Sequence, residues 1–259
     1  MMGILEGKKA LIFGVANQNS IAFGIAKAFF RGGATLAFAC ANDFLAEMVK
    51  LLAKDLNSEM VIRCDVSREE DILKLKKYIK EKWGNFDILV HSVAFCKKED
   101  LKNRFLETSR EGFKIAMDIS VYSLIALCRE LLPLMNKEGS VLTLSFYGSE
   151  KVFPGYNVMG VVKSTLESTV RYLAYDLGKE KIRVNCISPG PIKTLAASAI
   201  PNFENFLEMH KKISPLGENV TSEDVGELAV FLASEKAKSI TGQVIYVDSG
   251  YNIMGIFKE

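Results

Sequence analysis

Histidine, tryptophan and proline are scarce in this 259-residue sequence, which has two, one and six of them. His91 and His210 lie far apart with no cysteine cluster beside either, so nowhere along the chain are the ligands of a metal site gathered. The five cysteines, Cys40, Cys64, Cys96, Cys128 and Cys186, are scattered and odd in number, which argues against a paired disulfide framework. Most sit inside apolar runs such as Ile62-Arg63-Cys64 and Val184-Asn185-Cys186, and they read as buried free thiols of a reducing compartment. No run approaches the ~20 apolar residues of a membrane span, and Met1 to Lys9 lacks an apolar signal core. A cytoplasmic protein is expected. Neither sign of charge is in excess: 33 Lys and Arg against 31 Asp and Glu leave a net charge of +2, which removes the electrostatic case for a nucleic-acid binder.

What is present is enough apolar residue, 49% of the chain, to bury a full core. No Pro/Ser-rich linker, low-complexity stretch or repeat interrupts the sequence, so residues 1–259 are expected to form a single domain. Short apolar runs alternate with longer amphipathic ones. Strands are expected over Lys9 to Gly14, Ala34 to Cys40, Met60 to Val66, Phe86 to Val93, Val141 to Ser145, Ile182 to Ile187 and Gln243 to Val247. Helices are expected over Ser20 to Arg31, Asp43 to Leu56, Glu69 to Lys82, about Ser109 to Met135, Tyr156 to Leu177 and Thr221 to Ser234. Ile72, Leu75 and Ile79 recur at helical spacing, and Thr221-Ser222-Glu223-Asp224 is a capping box. Strands apolar on both faces and separated by helices predict a doubly wound, seven-stranded parallel sheet of Rossmann type, a three-layer α/β/α arrangement. The segment from Thr194 to Pro215 breaks the rhythm without strand character, and connections of that length are often lids.

In a doubly wound sheet, ligands bind beyond the carboxyl ends of the strands. The first turn reads Gly14-Val-Ala-Asn-Gln-Asn-Ser20-Ile-Ala-Phe-Gly24. Gly14 permits a tight turn, Ser20 can cap the helix, the helix N-terminus offers amides to a pyrophosphate, and Gly24 would let the helix approach the sheet. The spacing G-x-G-x-x-G is absent. Asp65-Val66 closes the third strand, where a short carboxylate can reach an adenine amino group and Val66 can flank the ring. Ser92-Val93-Ala94 closes the fourth with small side chains that leave room for a ribose and nicotinamide. The second strand ends at Ala39-Cys40-Ala41-Asn42, with neither an acidic residue for a ribose diol nor an Arg for a 2′-phosphate; as no cation is there, NADH is expected over NADPH.

Tyr156-Asn-Val-Met-Gly-Val-Val-Lys163 carries the chemistry. On a helix, seven residues are close to two turns, which puts both side chains on one face roughly 10 Å apart along the axis. A phenol becomes a useful acid once its pKa falls, and a nearby ammonium favours its ionised form.

With these stretches goes a series of others in order: Cys64-Asp-Val66, His91-Ser-Val-Ala94, Arg110-Glu-Gly-Phe-Lys-Ile-Ala116, Asp118-Ile-Ser120, Arg171-Tyr172, Gly190-Pro-Ile-Lys-Thr-Leu-Ala-Ala197 and Asp224-Val-Gly226. The sequence resembles the short-chain dehydrogenase/reductase superfamily, and within it the divergent branch of bacterial enoyl-acyl-carrier-protein reductases, over essentially its whole length. The resemblance implies that alcohol and ketone reductases use Tyr-x-x-x-Lys, whereas position 160 here is Gly and the six-residue gap belongs to enoyl reductases. It implies hydride transfer from NADH to the β-carbon of a trans-2-enoyl thioester, as in bacterial type II fatty acid synthesis. Tyr156 would donate a hydrogen bond to the thioester oxygen, and Lys163 would hold the nicotinamide ribose. The cofactor-binding residues it implies include Gly14, Ala16, Ser20, Ile21, Cys40, Asp65, Val66, Ser92, Val93, Ala94, Ile192, Thr194, Leu195 and Ala196.

Relatives commonly place a second tyrosine ten residues before the catalytic one. Here Phe146 stands there, a pocket wall without a hydroxyl, and Tyr147 follows it. Phe95, Cys96, Phe146, Met159, Ile200 and Phe203, with Ala199 and Met209, are expected to line an acyl-chain tunnel. An acidic acyl-carrier protein is the expected partner, facing Lys97, Lys98, Lys102, Arg104, Lys193, Lys211 and Lys212; a solvated face is an equally good account of these side chains. The resemblance also implies a homotetramer. Two other readings stay open: a 3-oxoacyl reductase of the same fold, which would need Lys at position 160, and a nucleotide-sensing protein without catalysis.

Overall fold

The structure is a computed structural model and describes residues 3–200 and 202–255. Its strands are β1 (Lys9–Phe13), β2 (Thr35–Cys40), β3 (Val61–Arg63), β4 (Phe86–His91), β5 (Met135–Leu144), β6 (Arg183–Pro189) and β7 (Val244–Val247). They form one sheet in the order β3-β2-β1-β4-β5-β6-β7, and every pair is parallel. The order reverses between β1 and β4, which opens a crevice at their carboxyl ends.

The helices are α1 (Ile21–Arg31), α2 (Asp43–Lys54), α3 (Glu69–Trp83), α4 (Lys98–Lys102), α5 (Arg110–Met117), α6 (Ser123–Leu131), α7 (Val158–Leu177), α8 (Phe203–Ile213) and α9 (Ser222–Ala233). Successive strand residues point to opposite faces, so each strand feeds two cores. Leu11 and Phe13 join Leu75, Leu127 and Leu166 on the side of α3, α6 and α7. Ala10 and Ile12 join Ile25, Phe29 and Val49 on the side of α1, α2 and α9. That division is why the strands read as apolar on both faces.

Several boundaries differ from expectation. Beyond β3 and β4, Asp65-Val66 and Ser92-Val93-Ala94 lie in the crevice rather than in strands. The helical stretch expected near residues 109–135 is α5 and α6 joined by a π-helical turn at Asp118–Tyr122, an extra residue that the apolar periodicity does not reveal. β5 begins earlier than expected, at Met135, and its register with β4 shifts between Phe86 and Ile88. Gly24 faces α9 rather than the sheet: a Cβ on Gly226 would meet the Gly24 carbonyl at 2.8 Å. The capping box of α9 forms as read, with Thr221 N donating to Asp224 Oδ2 at 2.8 Å and Asp224 N to Thr221 Oγ1 at 3.2 Å. The segment after Thr194 is largely helical, α8, and Pro201 lies outside the described residues.

Candidate active site

Gly14 follows β1 with φ +95, and a side chain there would run into the Ser92 carbonyl. Only glycine lets the ends of β1 and β4 touch at the point where the strand order reverses. Ser20 does not cap α1. Its Oγ instead accepts from Ala16 N and Asn17 N, each at 3.0 Å, and staples the loop. Among the described residues the amides of Ile21 and Ala22 find no protein acceptor, so two donors face outward at the helix N-terminus where a pyrophosphate would bind. These residues fit a dinucleotide.

Around that loop, Cys40 is buried and its thiol is pushed up to about 12 by burial, so it supplies a small wall and no charge. Asp65 Oδ1 accepts from Ser67 N at 3.0 Å and Ser67 Oγ at 2.7 Å, which aims the carboxylate across the end of β3. Ser92 and Val93 are half-buried and Ala94 is exposed. The π-helical turn pins the next residue: Phe95 N donates to Ser120 Oγ at 3.0 Å, and Ser120 Oγ donates to Phe95 O at 3.2 Å. Across the crevice, Ile192 packs on the core, Thr194 Oγ1 accepts from Ala197 N at 3.1 Å, and Leu195 and Ala196 are exposed.

Tyr156 corrects the sequence reading twice. It lies in the turn before α7 rather than on the helix, because Asn157, with φ +43, breaks the helical path between them. Its phenol pKa is raised, not lowered, by burial first and then by Cys96 and Glu167. The cause is an apolar wall: Phe146 stands edge-on to Tyr156 at 4.9 Å and Phe153 lies 5.0 Å from Phe146. The hydroxyl therefore stays protonated, a donor rather than a phenolate. Lys163 is buried within α7, donates from Nζ to Leu144 O at 2.7 Å, and has its pKa lowered chiefly by burial.

Gly160 lies between them on the chain. A Cβ there would meet the Gly148 carbonyl at 2.9 Å, so the position has no room for a lysine. Gly148 in turn lies on the Tyr156 ring, where a Cβ would approach Cδ1 to 2.7 Å.

Tyr147 does not replace the hydroxyl missing at Phe146. It faces the other way, donating to Asn252 O at 3.1 Å with its ring against Tyr246 and Tyr251. The aromatic wall extends through residues the sequence reading passed over. Phe206 of α8 lies 5.1 Å from Phe153, 5.9 Å from Phe146 and 6.1 Å from Phe203. The spacing of Phe203 and Phe206, one helical turn, was the available signal. Of the other expected lining residues, Phe95 is exposed, Cys96 and Ile200 are half-buried, Met159 is buried in the core with Val158 and Val162, and Met209 points outward. The side chain of Ala199 lies outside the described residues. Lys193 is paired with Glu204. Among the described residues no group of three or more His, Cys, Asp or Glu side chains could hold a metal ion. Nor is any described helix long and apolar enough to cross a membrane.

The family described as Enoyl-(Acyl carrier protein) reductase matches residues 14–252 of the chain. The chain is 59% identical over 257 residues to the enoyl-acyl-carrier-protein reductase (NADH) FabI of Aquifex aeolicus, covering 99% of this chain and 95% of the relative. The crystal structure of the enoyl-acyl-carrier-protein reductase (NADH) from Aquifex aeolicus superposes with a TM-score of 0.96 at 58% identity, covering 98% of this chain and 100% of that one. The reductase of Anaplasma phagocytophilum, solved in complex with NAD, gives a TM-score of 0.96 at 45% identity, covering 100% of this chain and 99% of that one.

Proposed function

The chain belongs to the enoyl-(acyl carrier protein) reductase family, and from that membership we propose that it reduces trans-2-enoyl thioesters with NADH, using Tyr156 and Lys163. The observation that carries this reading is position 160, where the Gly148 carbonyl closes the place a ketone reductase would need for its lysine. When bound, NADH supplies the hydride for the β-carbon of the enoyl chain. The protein's part is to steady the negative charge that collects on the thioester oxygen. Tyr156, kept protonated by its burial, donates a hydrogen bond there. Lys163 holds the nicotinamide ribose hydroxyls and adds a positive charge to the site. The loop from Gly14 to Ile21 takes the pyrophosphate, and the aromatic wall of Phe146, Phe153 and Phe206 keeps water from the reacting atoms.

The segment over residues 194–215 acts as the substrate lid, with α8 as its body. The acyl-carrier protein that brings the substrate is acidic, and Lys211 and Lys212, which make no ion pair among the described residues, offer it positive charge, whereas Lys193 is engaged by Glu204. Between α5, α6 and α7 a groove lined by Phe113, Tyr122 and Ile125 leaves apolar surface open, and Tyr172 and Tyr175 are exposed farther along α7. Such a surface suits subunit packing in a cytoplasmic homotetramer serving fatty acid synthesis.

The test follows nicotinamide absorbance with crotonyl and 3-oxoacyl thioesters in parallel, with NADH and with NADPH. NADH oxidation with the crotonyl substrate alone is the expected result. Oxidation with the 3-oxoacyl substrate would assign a ketone reductase, and no oxidation with either would leave a nucleotide sensor. A lower KM for NADPH would reverse the cofactor preference.

A further inference from the structure

Behind Lys163, α7 carries a second buried ionisable side chain that the reaction described above does not use. Glu167 lies one helical turn further on and is 7% exposed, as Lys163 is. Ser145, 4% exposed just beyond the end of β5, donates its hydroxyl to Glu167 Oε1. A carboxylate buried with a single hydroxyl donor is costly unless a positive charge lies near it. Among the described residues, Lys163 is the only buried lysine.

The need is mutual. Lys163 Nζ donates to a neutral carbonyl, and none of the ion pairs among the described residues includes it. Burial lowers its pKa, while Cys186 and then Glu167 raise it. The other ionisable groups packed around the pair are neutral near pH 7. From β4, His91 is pushed down to about 3, by burial first and then by Lys163. From β6, Cys186 is pushed up to about 12, chiefly by burial, so it is a thiol and not a counter-charge. Cys96, facing Tyr156, is pushed up to about 11, and the phenols of Tyr156 and of Tyr246 on β7 are raised, in each case by burial first. Lys163 and Glu167 remain.

We propose that Glu167 is a positioning residue for the reaction: held by Ser145, its carboxylate is the fixed negative charge that keeps Lys163 an ammonium able to grip the cofactor. The same charge disfavours a phenolate at Tyr156 and so preserves the donor. The proposal rests on the roles given above to Tyr156 and Lys163.

The test is the affinity for NADH of wild-type and Glu167→Gln protein from about pH 6 to about pH 10, read by nucleotide fluorescence, with crotonyl thioester turnover measured separately. Wild-type affinity should hold into the alkaline range. That of Glu167→Gln should fall away about one pH unit earlier, roughly a tenfold deficit within that window. In a Lys163→Arg background the cation does not titrate, and Glu167→Gln should no longer move the curve. Ser145→Ala keeps every charge and serves if the glutamine variant does not fold. A carboxylate that has lost its donor is no longer held in place, so affinity should again fall away earlier than wild type at the alkaline end. Superimposable curves for wild type and Glu167→Gln overturn the proposal, as do superimposable curves for Ser145→Ala where that variant alone folds. A wild type that binds NADH but reduces no enoyl thioester sinks the functional reading instead, and the binding curves still decide this one.

Discussion

Tyr156 has the Phe146 ring edge-on at 4.9 Å, and the burial of its phenol raises its pKa well above working pH. Such a group works by donating a hydrogen bond to charge as it forms, not by releasing its proton first. Tyr156→Phe should therefore lower kcat with crotonyl thioester by about 10²-fold or more, while NADH affinity, measured by titration, stays close to wild type. His91 makes a different prediction. It is fully buried, lies 3.0 Å from Thr143 Oγ1 and 2.8 Å from Ser123 Oγ, and is pushed down to about 3 from an ordinary 6.5. Above pH 6.5 the ring is neutral whether the chain is folded or not, so it adds no pH dependence. As pH falls from there towards about 3 the unfolded chain gains a proton that the folded one refuses, and stability drops by up to about 1.4 kcal/mol per pH unit. Urea unfolding at several pH values should show a shallower acid loss for His91→Asn than for wild type; parallel slopes would refute the assignment.

At the scale of elements, α8 shows what the sequence conceals. Its buried positions, Phe203, His210 and Ile213, with Phe206 against the aromatic wall, fall on one helical face, but a histidine occupies one of them and blurs the apolar periodicity. The left-handed Asn202 that opens the helix, φ +57, leaves no ordinary cap signal either. A long connection read only as lacking strand character carries a helix, and its Phe206 completes the wall. Phe206→Ala should raise KM for long-chain enoyl thioesters several-fold more than for the crotonyl substrate, since only a long chain would lie against it. The pair proposed for the chemistry, Tyr156 and Lys163, was easier to nominate, because residue types and spacing suffice to single it out. Its geometry was not, because the break at Asn157 and the direction of the Tyr156 pKa shift depend on what packs there. Ser20 is a similar case: a serine before a helix suggests a cap, and only the folded loop shows it bound to Ala16 and Asn17.

Across the whole molecule, topology was the most legible level, since strands apolar on both faces leave few arrangements other than a covered parallel sheet. How tightly the layers close was less so. The contact of α1 with α9 depends on Gly24 and Gly226, and a Cβ on Gly226 would also meet Ala28 Cβ at 2.9 Å. Gly226→Ala should cost about 1–3 kcal/mol in urea unfolding, with the catalytic parameters of the remaining folded protein little changed. The central claim is that this sheet presents a β-carbon, and not a carbonyl, to the nicotinamide. It is tested most directly by turning over a trans-2-enoyl thioester with NADH carrying deuterium at the transferable position and locating the label in the product. Deuterium on C3 of the saturated thioester, with C2 protonated from solvent, is the result the account predicts. Label on C2, on the carbonyl carbon or nowhere in the product would contradict it.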